Sequence, residues 1–66
     1  MKGVTSHVED FYRSLLTQLQ QGERLPSERA VMHEFKTSRS TVRLVLLKLA
    51  AEKLIVAEHG RGYFKS

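Results

Sequence analysis

The chain has no cysteine, so neither a disulfide framework nor a thiolate metal site can staple it. Nowhere does an apolar run approach the roughly 20 residues of a membrane span. The start, Met1-Lys2-Gly3-Val4-Thr5, lacks the apolar segment of a signal peptide. There are no internal repeats, low-complexity tracts or linkers. With 66 residues in all, the expectation is one small cytoplasmic domain, only marginally stable and with no membrane partner.

Acidic residues are also missing from one long stretch. Between Phe35 and Ala51 stand Lys36, Arg39, Arg43 and Lys48, while Glu9, Asp10, Glu23, Glu28, Glu34, Glu52 and Glu58 lie on either side. The net charge of +4 is common among small solvated domains. Its concentration in one element says more, because a local positive field draws phosphate and is screened by salt.

What is present is helical periodicity followed by a short β signal. Residues 1 to 4 read as frayed. Ser6 and Glu9 have the spacing of a capping box. Val8, Phe11, Tyr12, Leu15, Leu16 and Leu19 then share one face. This predicts a helix over about 6–20, stopped near Gly22, with His7 and Arg13 idle on its wet side. Glu23-Arg24-Leu25 fits an edge strand, since Pro26 favours an extended residue before it. Ser27 is an N-cap, Glu28 suits the helix dipole, and Val31, Met32 and Phe35 form the buried side of a helix over 28–35. Met32 is core filler, and His33 is a solvated helix residue with no second metal ligand at matching spacing.

Lys36-Thr37-Ser38 is a turn, and Ser38 caps a third helix over 39–52. Val42, Val45, Leu46 and Leu49 form its core stripe, while Ser40, Arg43 and Leu47 fall on another side. Leu54-Ile55-Val56-Ala57-Glu58 and Tyr63-Phe64-Lys65 predict a hairpin over about 54–58 and 63–65, turned by Gly60 and Gly62. Leu54 and Phe64 are the residues expected to pack it on the helices. The fold class is mainly α with a small β-hairpin: a winged helix-turn-helix of three helices and a two- to three-stranded antiparallel sheet.

Chemistry gathers at three places. The start of the third helix, Ser38-Arg39-Ser40-Thr41-Val42-Arg43, sets hydroxyls and guanidinium groups beside unpaired backbone N–H groups and a positive dipole. Arginine forks onto guanine, and hydroxyls and N–H groups suit phosphates. Ser27 and Arg29 open a second helix start that can seat a phosphate. The tip Glu58-His59-Gly60-Arg61-Gly62 brings Arg61 on a close-approaching backbone, which suits a narrow minor groove.

These blocks, Leu25-Pro26-Ser27-Glu28-Arg29, then Ser38 to Arg43, then Leu54-Ile55-Val56 and Gly60-Arg61-Gly62-Tyr63-Phe64, resemble the DNA-binding domain of GntR-family bacterial transcription regulators. The resemblance covers roughly Phe11 to Lys65. It implies a homodimeric repressor or activator on a palindromic double-stranded operator. It also implies a C-terminal effector-binding and dimerising domain, HutC-like or all-helical, which would begin where this chain stops. The resemblance carries DNA contacts over to Arg29, to Ser38, Arg39, Ser40, Thr41 and Arg43, and to His59, Gly60 and Arg61; Ser27 and Lys36 join them as phosphate contacts. No cofactor, metal or catalytic residue is implied.

The chain departs from the family pattern in places. The stretch before Leu25-Pro26 is short. Lys36 and Lys53 stand where glycine is common, and a lysine at position 36 must strain or avoid a left-handed turn. Leu44 and Leu47 replace polar residues, either as ordinary scatter or as a contact for another subunit or domain. The alternative function is therefore a winged-helix module for protein contact. An enzyme has little support, because His7, His33 and His59 pair with no nucleophile and there is no P-loop.

Overall fold

The computed structural model describes residues 3–66. Its elements are α1 (Val4–Leu16), α2 (Glu28–Phe35), α3 (Arg39–Ala51), β1 (Ile55–Glu58) and β2 (Gly62–Lys65). Three helices followed by an antiparallel hairpin make a winged helix-turn-helix.

Helix α1 corrects the predicted bounds of 6–20 at both ends. It starts earlier: Gly3 is the N-cap, without a side-chain cap, and its carbonyl accepts from His7 N–H at 3.2 Å. Ser6 therefore lies inside the helix and forms no capping box. Of the segment expected to fray, Met1 and Lys2 lie outside the described residues, and Val4 is helical. The helix also stops earlier, at Leu16. Thr17 Oγ1 donates to Ser14 O at 2.7 Å, and Lys65 Nζ donates to Leu16 O and Leu19 O at 2.7 and 2.6 Å. Carbonyls orphaned at a helix end need such partners, and here a lysine far along the chain supplies them.

Helix α2 keeps its expected bounds. Ser27 Oγ accepts from Ala30 N–H at 3.1 Å, and Glu28 occupies the first turn. At its end Lys36 does adopt the left-handed conformation, φ 51° and ψ 50°. Lys36 N–H donates to His33 O and Thr37 N–H to Met32 O, the paired bonds of a Schellman closure. Helix α3 begins on Ser38, whose Oγ accepts from Thr41 N–H at 3.2 Å. It ends at Ala51, one residue before the predicted limit, with Glu52 as its C-cap. Lys53, φ 63°, repeats the same closure, donating to Ala50 O while Leu54 N–H donates to Leu49 O.

The core is Val8, Tyr12 and Leu16 from α1, Leu25, Val31 from α2, Val42, Val45, Leu46 and Leu49 from α3, and Ile55. Phe11, Leu19, Met32, Phe35, Ala50 and Tyr63 pack against it, and Phe11 meets Phe35 edge-on at 5.4 Å. The hairpin is thus anchored by Ile55 and Tyr63, which corrects the expectation for Leu54 and Phe64. Leu54 is 37% exposed, and Phe64 lies under the Arg61 guanidinium, 5.4 Å from its ring centre. The strands pair Ile55 with Lys65 through to Glu58 with Gly62, bounds shifted by one residue from 54–58 and 63–65. Arg24 forms an isolated bridge with Phe64, and Leu25 N–H donates to Tyr63 O at 2.8 Å. That bridge is the rudiment of the third strand.

Arg13 is not idle either. Its Nε donates to Glu9 at 2.8 Å and its NH2 group to both carboxylate oxygens of Glu52, at 2.9 and 2.8 Å. Lys48 Nζ reaches Glu9 at 3.1 Å, so four charges tie α1 to the last turns of α3. The Arg13 and Lys48 hydrogen bonds hold the Glu9 carboxyl below its ordinary range. Glu52 and then Glu9 push the Arg13 guanidinium further up.

Candidate nucleic-acid interface

The packing of α2 and α3 against the hairpin opens a shallow surface cleft of about 370 Å³. Glu28 from α2, Arg43 from α3, and Ala57 to Tyr63 from the hairpin line it. The basic turn of α3 and the hairpin tip therefore lie on one face. Here Arg43 Nε donates to Glu28 Oε2 at 2.8 Å, and Arg39 Nε lies 3.9 Å from Glu28 Oε1. The Glu28 bond pushes the Arg43 guanidinium pKa up, so the group is charged at every accessible pH. At the tip Arg61 donates to Glu58 at 3.0 Å, across a turn closed by Arg61 N–H donating to Glu58 O at 3.0 Å. Gly60 at φ 75° supplies the reversal. Gly62, φ 114°, does more: a Cβ there would meet the Arg24 guanidinium at 3.2 Å. Arg24 thus flanks the base of the tip.

A model of the family described as bacterial regulatory proteins, gntR family, matches residues 11–64. The chain belongs to the GntR family. No curated protein matches it in sequence. Among solved structures it is similar to the N-terminal domain of AraR in complex with mutant ORR3, with a TM-score of 0.93 and 25% identity over 100% of this chain and 97% of that one. The DNA-binding domain of AraR in complex with operator ORX1 gives a TM-score of 0.92 and 25% identity, over 100% and 82% of the two chains. The possible transcriptional regulator YydK from Bacillus subtilis subsp. subtilis str. 168 gives 0.85 and 27%, over 97% of this chain but 29% of its own. This is therefore the DNA-binding domain of a bacterial regulator in winged helix-turn-helix form.

Within this GntR-family domain, the expected contact residues fall into three groups. Arg43, His59, Gly60 and Arg61 line the cleft together, and Arg39 borders it through Glu28. Ser27 and Ser38 spend their hydroxyl acceptors on helix capping, and Ser38 Oγ also lies 3.1 Å from Thr41 Oγ1. Arg29, Lys36 and Ser40 are exposed and line none of the clefts at the tip, though Ser40 precedes Arg43 and Leu44 by nearly one turn on α3. Spacing did not reveal Glu28, Glu58, Arg24 and Tyr63 as site residues. The sequence marks Glu28 as a dipole partner within the Leu25–Arg29 block, and no periodicity links positions 28 and 43, which meet through the α2–α3 packing. His33 is exposed, as expected, and Met32 packs on the core.

Proposed function

We propose that the domain binds one half of a palindromic operator as one of a pair, with α3 in the major groove and the hairpin tip in the adjacent minor groove. The observation that carries this is the shared face of Arg43 and Arg61, which lets one rigid body straddle a duplex. The DNA-binding domain of AraR named above, matched over the full length of this chain, is in complex with operator ORX1. In this reading Arg39 and Arg43 read base edges, with Ser40 beside them. Ser27, Arg29, Lys36, Ser38 and Thr41 take phosphates. His59, Gly60 and Arg61 enter the minor groove. Transcriptional repression in the cytoplasm, and a HutC-like effector domain elsewhere in the regulator, complete the proposal. Finding an all-helical effector domain in the regulator would overturn that last part.

Selection of bound duplexes from a random pool tests the reading. The expected result is a repeated half-site at fixed spacing, bound with a log affinity that falls steeply against log salt, by about 0.9 per phosphate neutralised. Recovery of no common sequence would reject it. A second reading draws on Leu44 and Leu47, which are 61% and 66% exposed on α3. If they serve a protein contact instead, binding through this face would persist at high salt.

A further inference from the structure

We infer that Glu28 is a positioning residue for sequence discrimination: its carboxylate holds Arg43, and more loosely Arg39, in the orientation in which α3 meets DNA. The inference rests on the DNA-binding reading above and assigns a role to the one carboxylate that α2 contributes to the cleft.

The carboxylate is the fixed partner. Glu28 sits in the first turn of α2, directly after the Ser27 cap, and its side chain is 17% exposed against 57% for each arginine. A short anchored acid therefore restrains two long cationic arms, not the reverse. The 2.8 Å bond engages Arg43 through Nε. Among the described residues no hydrogen bond occupies its two terminal amino groups, so the end that forks onto a guanine stays open. Two arginines share one carboxylate, so the pair of arms keeps a net positive charge.

Stability does not account for the arrangement, because exposed ion pairs contribute little. A carboxylate on a phosphate-facing surface also repels every duplex alike. What it supplies in return is pre-organisation: Arg43 arrives with its rotamer already restricted, so less freedom is lost on meeting the right base. That restriction widens the gap between the right sequence and the wrong one.

The test is a double-mutant cycle of Glu28→Gln with Arg43→Ala, each protein titrated against the duplex selected by the parent domain and against a scrambled duplex of equal length. Glu28→Gln should bind the scrambled duplex more tightly and the selected duplex more weakly. The ratio of the two affinities should fall about tenfold, the lower end of what one bidentate base contact discriminates. In the Arg43→Ala background the same substitution should leave the ratio unchanged. Glu28→Ala, checked for native circular dichroism, should repeat the result without a residual amide acceptor. An unchanged ratio in the Arg43 parent would overturn the inference. So would an equal loss in both backgrounds, which would mean that Glu28 reads a base itself or merely steadies α2. Failure of the parent to discriminate the two duplexes would sink the DNA-binding reading and this inference with it, whereas the cycle alone sinks only the inference.

Discussion

Tyr12 fills the centre of the core with none of its surface exposed, and its hydroxyl finds no hydrogen-bond partner among the described residues. A buried polar group left in that state costs about 1–3 kcal/mol. Tyr12→Phe keeps the ring, including its edge contact with Phe11 at 5.5 Å, and removes the liability. We expect it to raise unfolding stability by about 1 kcal/mol, read as a higher denaturant midpoint at unchanged slope. A lower midpoint would show that the hydroxyl is satisfied. On the binding face, Arg43→Ala and Arg39→Ala should each cost about 1–3 kcal/mol in operator affinity while leaving the midpoint in place. Titrations showing both variants equal to the parent would remove these side chains from the base-reading set.

At the scale of the element, both α2 and α3 close on a lysine in the left-handed region. An L-residue there carries a backbone penalty of about 1 kcal/mol that glycine escapes. The Schellman bonds on either side nevertheless hold both turns in shape. Lys36→Gly and Lys53→Gly should therefore each stabilise the fold by about 0.5–1 kcal/mol in thermal unfolding. They should part company on DNA. Lys36 opens the turn into α3, and its loss should weaken binding to all duplexes alike and flatten the salt slope by about one. Lys53 lines a different groove, with Leu16, Leu54 and Lys65, and its replacement should leave the slope intact. Equal slopes for the two variants would remove Lys36 from the phosphate contacts.

For the whole molecule, Glu9 and Tyr12 each make stability depend on pH. Hydrogen bonds from Arg13 and Lys48 lower the Glu9 pKa. The unfolded chain thus takes up a proton at higher pH than the folded one does, and stability falls as pH drops from the ordinary carboxylate range through the lowered value. Burial raises the Tyr12 pKa, with smaller contributions from the Glu28 and Tyr63 charges. Above its ordinary value of about 10 the unfolded phenol ionises while the folded one stays neutral, so stability falls again as pH rises. The expected profile is a plateau between these arms, measured as unfolding midpoint against pH. Tyr12→Phe should shorten the alkaline arm, and Glu9→Gln the acid one. An alkaline arm unchanged in Tyr12→Phe would place its origin elsewhere.

The sequence by itself determined the order of elements and the caps. Ser27 and Ser38 each offer an oxygen to the backbone three residues on, an interaction that needs no distant partner, so the starts of α2 and α3 were legible. Gly60 likewise marks its turn by local backbone geometry alone. The core stripe of α3 followed from periodicity for the same reason. Only the tertiary structure decided where α1 ends, because Lys65 Nζ, from the far strand of the hairpin, donates to the carbonyls of Leu16 and Leu19 at and just past that end. It also decided that Ile55 and Tyr63, not Leu54 and Phe64, face the helices, since strand alternation leaves the choice of face to the docking of the hairpin. The Arg13–Glu52 and Arg43–Glu28 bonds belong to the same class. Each joins charges from different helices, and such pairs meet only when the apolar faces have fixed the angle between their elements.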